Sequence, residues 1–238
     1  MLAGRILLKI LDMNVPVVIE QRRLRSPAVT PQALAWDGHM LWLSSRDLGT
    51  LCKVEPPSPG YGAAGINDWR VVEEIDPPGV VWAAVATDGA MHFTIGKGLN
   101  DDRYVYRYDS KNGFTKLFAC PDFTGSYLSF DGEHLYLSQW YKERILKFDN
   151  RGTVIREIGA GAEICGHTFV DGLIYVLRGR EKPNEDWRIA VLDPRAQSPE
   201  VCDLGIVPFA CRSLAYDGEN FWSNHRAANE IISFAPPK

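Results

Sequence analysis

Two thiols and two imidazoles stand where they could act together. Cys165 and Cys211 lie 46 residues apart, His167 follows the first by two positions, and His225 lies beyond the second. A thiol beside an imidazole makes a nucleophile with its base, or half of a tetrahedral metal site. Cysteine is equally a small core residue, and these four positions match no metal-ligand spacing. A second set is cationic. Arg46, Lys97, Arg180 and Arg226, with Trp140 as the fifth member, each fall nine residues after an aspartate, and Lys142, Arg178 and Arg212 are near them in frame. Like charges gathered at one level repel unless an anion or acidic neighbours relieve them. Asp47, Asp101, Asp102, Glu143 and Glu181 occur in the same segments. The pattern therefore admits a small anionic ligand, or ordinary solvated turns where charge costs little.

The five aspartates belong to a repeat that must position all of these groups. The frames read ALAWDGHMLWLS from Ala33, AVATDGAMHFTI from Ala84, YLSFDGEHLYLS from Tyr127, HTFVDGLIYVLR from His167 and SLAYDGENFWSN from Ser213. Each is an apolar run, an Asp-Gly turn and a second apolar run, the pattern of a β-hairpin. The glycines recur every 40 to 51 residues. Third strands begin at Tyr104, Ile145, Ile189 and Ile231, and fourth strands at Trp69, Phe114 and Thr153. Four antiparallel strands at this period make a propeller blade. The fifth repeat stops after its third strand. The otherwise unassigned segment near Val15–Gln21 is expected to supply the missing outer strand, closing the ring and removing an exposed edge. The sequence thus predicts an all-β, five-bladed β-propeller with four-stranded antiparallel blades, as a single domain over residues 1–238.

Strand alternation then assigns positions around the axis. First-strand starts and second-strand ends share the face opposite the Asp-Gly turns, so Gln32, Arg46, Trp82, Lys97, Trp140, His167, Arg212 and His225 are expected around one mouth. His167 and His225 of that set, with Cys165, are the candidate catalytic residues. Gln32, Arg46, Trp82, Lys97, Tyr127, Trp140, Arg178 and Arg212 are the candidate ligand-binding residues, with Trp82, Tyr127 and Trp140 able to stack a planar or cationic group. Trp36, Phe130 and Tyr216 alternate with small residues and are expected to pack between blades.

Composition narrows the function classes. A net charge of −4 offers no bulk attraction to nucleic acid or acidic membranes. No run approaches the roughly 20 apolar residues of a membrane span. The segment Ile6–Ile19 is interrupted by Lys9, Asp12, Asn14 and Pro16 without a small-residue cleavage site, so a cytoplasmic location is expected. The odd count of five cysteines, with no C-x-x-C pair, suits reduced thiols. Phosphate-binding, zinc-protease, EF-hand and serine-hydrolase motifs do not occur. The expectation is no metal and no cofactor, with a small molecule, possibly an anion, as partner.

The first hairpin, TPQALAWDG followed by LWLSSRDLGT, resembles the opening blade of the plant-type and bacterial glutaminyl cyclases, also called glutamine cyclotransferases. That resemblance implies a five-bladed propeller, Gln32 at the family's motif glutamine, and Ser44, Ser45 and Gly49 in its second motif. It also implies an acid–base glutamate in the second blade, where this chain reads VWAAV and Ala83 stands at the expected position. Cyclisation of an N-terminal glutamine needs a group that carries the proton from the attacking amine to leaving ammonia. The expectation is therefore a ligand-binding propeller of this class without the usual glutamate. The alternatives are a divergent cyclotransferase, lyase or hydrolase using a histidine at the mouth, and a protein-interaction scaffold. Ammonia release from peptides with N-terminal glutamine should accordingly stay at the uncatalysed rate. Turnover at the rate of a true cyclase would show that another carboxylate replaces the missing one.

Overall fold

In the computed structural model the described residues are 15–57, 69–97 and 102–237. Asp101 and the N-terminal residues 1–12 lie outside them. Among the described residues, twenty strands form five four-stranded antiparallel sheets. The first blade comprises β2 (Pro31–Trp36), β3 (Leu41–Ser45), β4 (Leu51–Glu55) and β5 (Arg70–Ile75). The second comprises β6 (Val80–Thr87), β7 (Ala90–Gly96), β8 (Tyr104–Asp109) and β9 (Gly113–Ala119). The third holds β10 (Tyr127–Phe130), β11 (Leu135–Gln139), β12 (Arg144–Phe148) and β13 (Val154–Gly159). The fourth holds β14 (Glu163–Val170), β15 (Leu173–Arg180), β16 (Asp186–Leu192) and β17 (Cys202–Val207). The fifth is β18 (Cys211–Tyr216), β19 (Phe221–His225), β20 (Glu230–Phe234) and, from the other end of the chain, β1 (Glu20–Arg25). The five-bladed architecture and its N-terminal closure are as the repeat requires.

Two details differ from the sequence reading. The closing strand is Glu20–Arg25, a few residues later than expected, and pairs with β20 from Glu20–Phe234 to Arg25–Glu230. The preceding residues go instead to the fourth blade: Val18 N donates to Ile206 O at 2.9 Å and Ile206 N donates to Pro16 O at 2.8 Å. Gly205 permits this, because a β-carbon there would meet the Val18 side chain at 2.9 Å. The fourth blade's outer strand, CDLGIV, escaped notice because its polar and glycine positions show no alternation.

The Asp-Gly turns come in two kinds. In blades two and four the turn is two residues long, closing between Thr87 and Ala90 and between Val170 and Leu173. In blades one, three and five it is four residues long. There the aspartate works through its side chain. Asp37 Oδ1 accepts from the backbone of His39 and Met40 while Oδ2 accepts from Trp42 Nε1 at 2.8 Å. Asp131 does the same with Tyr136, and Asp217 with Trp222.

Five buried apolar clusters occupy the seams between blades, one to each neighbouring pair. Trp36 and Tyr216 pack on two of them. With Phe130 and Phe169 they also line a 180 Å³ cavity at the Asp-Gly end of the channel. The correction to the expected role is that Trp36 and Tyr216 face the channel as well as a seam, while Phe130 lines the channel cavity.

Two outcomes test this architecture. Deleting the chain through Arg25 should lower stability by several kcal/mol, because it exposes the β20 edge and empties the site of buried Leu24, worth about 2–5 kcal/mol alone. An unchanged melting temperature would show that ring closure does not need β1. Asp37 supplies the second. Partial burial would raise its carboxyl, but the donors Trp42, Lys53, Met40 and His39 prevail and hold it near 2, below the ordinary 3.8. A depressed carboxyl stabilises the fold above about pH 4 and loses that contribution as pH falls towards 2. Asp37→Asn should therefore cost about 1–2 kcal/mol at neutral pH, with the difference vanishing near pH 2 in urea titrations.

Candidate functional site

The site is built from irregularities in the innermost strands. Four of the five begin with a register shift: between Pro31 and Leu34, Val81 and Ala83, Ile164 and Gly166, and Arg212 and Ala215. A bulge inserts a residue and re-aims its side chain. Gln32 and Trp82 sit within two of these shifts, and both line a 350 Å³ cavity at the mouth opposite the Asp-Gly turns. Tyr127, Trp140, Arg103 and Arg226 are among its other walls. A volume of this size suits a small molecule.

Gln32 is the pivot of the floor. Its Nε2 donates to Trp82 O at 3.2 Å, its Oε1 accepts from Arg226 Nη1 at 2.6 Å, and its carbonyl accepts from Asn224 Nδ2 at 3.0 Å. One buried amide thus joins blades five, one and two. The aromatic wall is equally fixed. Trp140 Nε1 donates to Glu163 at 3.1 Å and its ring contacts Tyr127 and Trp187. The Arg103 guanidinium lies 4.1 Å from the Trp82 ring. Burial keeps Tyr127 a neutral phenol, its pKa raised well above the ordinary value.

Two arginines at this mouth differ in kind. Arg212 is 4% exposed and held between Trp140 and Trp187 at 5.0 and 5.5 Å. Its Nη1 and Nη2 meet both oxygens of Glu185 at 3.0 and 3.1 Å, and Nη2 also meets Glu181 at 3.1 Å. Burial works against its charge, but the Glu185 hydrogen bonds prevail and its pKa rises. Arg226 has the opposite balance. Burial lowers its pKa, the charges of Arg212 and Arg46 lower it further, and Glu181 only partly compensates. Among the described residues it has no carboxylate within ion-pair distance; its side-chain partner is the neutral Gln32 amide. Arg226 also borders a second cavity of 370 Å³, with Arg46, Arg212, Glu181 and Glu185. Glu181 lines both cavities.

Of the candidate ligand-binding residues, Gln32, Trp82, Tyr127 and Trp140 line the first cavity, and Arg46 and Arg212 the second. Arg46 pairs with Asp47 at 2.8 Å. Lys97 is exposed and lines neither, its backbone N capped by Asp102 at 3.0 Å. Arg178 is committed to Asp203 at 2.8 Å and to Ala160 O. None of the candidate catalytic residues lines either cavity. His167 is 1% exposed, its Nδ1 2.7 Å from Ser129 Oγ and its Nε2 3.2 Å from Tyr127 O, and burial lowers it to about 4. It is a neutral bridge between blades three and four. His225 packs against Phe209, with Nδ1 3.4 Å from Glu230. Cys165 is fully buried, and its sulfur lies 3.3 Å from that of Cys211. Burial, reinforced by Cys211, pushes the Cys165 thiol well up, so it is not poised as a thiolate.

Ala83 is 1% exposed and packs in the seam between blades two and three. Sequence reasoning passed over three groups that matter here. Arg226 was visible in the cationic column but not separable from its neighbours. Glu185 lies in a loop outside the repeat frame. Glu163 opens β14, where the bulge lengthens the strand and defeats counting back from Asp171. No cluster of three His, Cys, Asp or Glu able to hold a metal ion occurs among the described residues.

No protein-family profile and no characterised protein matches the sequence. Solved structures do share its fold. Glutaminyl cyclase from Myxococcus xanthus superposes with a TM-score of 0.67 at 11% identity, over 92% of this chain and 95% of that one. Regucalcin, a calcium-binding protein from Agrobacterium tumefaciens, gives 0.57 at 12% identity, over 93% and 95%. The pyrroloquinoline-quinone-bound aldose sugar dehydrogenase from Streptomyces coelicolor gives 0.55 at 13% identity, over 92% and 97%. At these identities the likeness is one of fold: the chain is a five-bladed β-propeller similar in architecture to a bacterial glutaminyl cyclase.

Proposed function

We propose that the chain is a ligand-binding propeller that takes a small anionic or amide-containing ligand at its channel mouth. One observation carries the reading. Arg226 is a half-buried guanidinium on the cavity wall whose hydrogen-bonded side-chain partner is a neutral amide. Burying a charge without an opposite charge is costly, and an incoming carboxylate or phosphate would remove that cost with charge-assisted hydrogen bonds. The Gln32 amide supplies the resting partner and a group that can turn to an amide ligand. Trp82, Tyr127 and Trp140 give such a ligand flat walls.

A divergent enzyme of the cyclotransferase type is the second reading. Its support is Glu181, among the described residues the one carboxylate lining the first cavity, which accepts hydrogen bonds from Arg212 and Tyr141 at 3.1 and 3.2 Å. The histidines lend it nothing from where they lie.

Titrating acetate, benzoate and phosphate against the protein tests the first reading. Arg226→Gln should weaken binding about 10- to 100-fold, the loss of a hydrogen bond to a charged group, and wild-type affinity should fall as salt rises. Arg212→Met should act differently. Leaving Glu185 and Glu181 without their cation should cost about 1–3 kcal/mol of folding stability. Unchanged anion affinity in Arg226→Gln would overturn the reading.

A further inference from the structure

Large exposed apolar side chains are not spread evenly over this disc. Five of the eleven among the described residues sit on outermost strands, at Val71, Val72, Leu117, Val154 and Ile155, and Val17 and Ile19 precede the closing strand. The remaining four lie in loops. They are Val29 between β1 and β2, Leu48 between β3 and β4, Phe123 between β9 and β10, and Tyr141 between β11 and β12. All four of these connections are on the mouth face, and none of the eleven lies in an Asp-Gly turn. The exposures are large: 47% for Val29, 65% for Leu48, 47% for Phe123 and 74% for Tyr141.

These side chains are held outward by local structure. Ser45 Oγ donates to Val29 O at 2.7 Å and accepts from Leu48 N at 3.2 Å, tying both backbone segments to one residue of blade one. Phe123 has a φ of 55° and Tyr141 sits in the 3₁₀ turn Trp140–Lys142, whose C-cap Glu143 has a φ of 53°. Tyr141 and Thr124, the residue after Phe123, line the first cavity. The Val29 and Leu48 pair flanks Thr30 and Arg46 of the second. A cationic pocket therefore opens between two apolar groups, one on blade one and one at blade three. A ligand confined to 350 Å³ would leave both groups in water.

We propose that the mouth reads the carboxy terminus of a peptide or protein, with the terminal carboxylate on Arg226 and the preceding side chains on the apolar rim. This rests on the anion-binding reading of Arg226. Charge complementarity selects a carboxylate over an amine end, because among the described residues no carboxylate lies within ion-pair distance of Arg226 while Glu181 already serves Arg212 and Tyr141. The polar lining of Thr124, Ser126 and Gln139 and the charged Asp47 and Lys142 beside the rim suit peptide groups better than a hydrocarbon tail. Capture of a chain end by fixed donors, with side-chain pockets beside it, is an established mode of peptide recognition.

The test uses the full chain against an array of N-terminally tethered pentapeptides randomised at their last two positions, made both as free acids and as amides. The strongest acids should bind at least tenfold more tightly than their amides, and at least tenfold more tightly than the acetylated single amino acid of the same terminal residue. Arg226→Gln should abolish the first ratio. Leu48→Ser and Tyr141→Ser should shrink the second and leave the first. If acetate and acetylated amino acids bind but peptides gain nothing, the inference fails while the anion reading stands. Octanoate binding more tightly than any peptide acid would also overturn it. Absence of binding by every carboxylate would remove both.

Discussion

The pairing of β1 with β20 is the constraint on which the rest of the disc depends. Each blade buries its faces only against its two neighbours, so five seams are filled only if the first and fifth blades meet. The chain achieves this by lending its N-terminal strand to its last blade, which places Leu24 in the seam cluster with Leu34, Trp222 and Ile231. Arg23 reinforces the junction by pairing with both Glu20 and Glu230. Side chains then cross the same seam at the mouth: Asn224 and Arg226 of the fifth blade reach Gln32 of the first. Ring closure and pocket construction are consequently one event. The amide that shapes the cavity floor is oriented by groups from opposite ends of the chain.

Charge at the mouth is divided between structure and availability. Arg212 starts an innermost strand, so burial of its guanidinium is forced by position, and two glutamates with two indole faces compensate it. Arg226 follows the end of β19 at His225 and opens the 3₁₀ turn Arg226–Ala228. Its cavity neighbours include Arg46 and Arg212 as well as Glu181 and Glu185, but its hydrogen-bonded side-chain partner is the Gln32 amide. The contrast explains why the cations of this mouth do not make one collective site: Arg46, Lys142 and Arg212 are committed to acids, and among the described residues no carboxylate lies within ion-pair distance of Arg226.

The fold was legible because its signals are local and periodic. Asp-Gly with aromatic residues two strands' width away defines a hairpin without knowledge of anything distant, and five copies define the ring. The aspartate side chain that caps the four-residue turns lies within the same dozen residues. The two errors in strand assignment share a cause. Val18 pairs with the fourth blade because Gly205 leaves room for it, and β17 forms because β16 offers an edge; neither cue is written in the segment that responds to it.

The residues that face the mouth were set by sequence only to the level of the repeat frame. Of the residues that frame assigned to the mouth, Gln32, Trp82, Tyr127 and Trp140 line one cavity, and Arg46 and Arg212 line the other. The frame could not separate side chains aimed at the channel from those aimed at a seam, because a bulge of one residue reverses the direction of every position counted through it. His167 became a buried bridge to Ser129 for that reason, and Cys165 a neighbour of Cys211. Partnership was equally invisible in the sequence. Whether an arginine is neutralised depends on which acid a loop from another blade delivers, and only the closed tertiary structure gave Glu185 to Arg212 and left Arg226 with an amide.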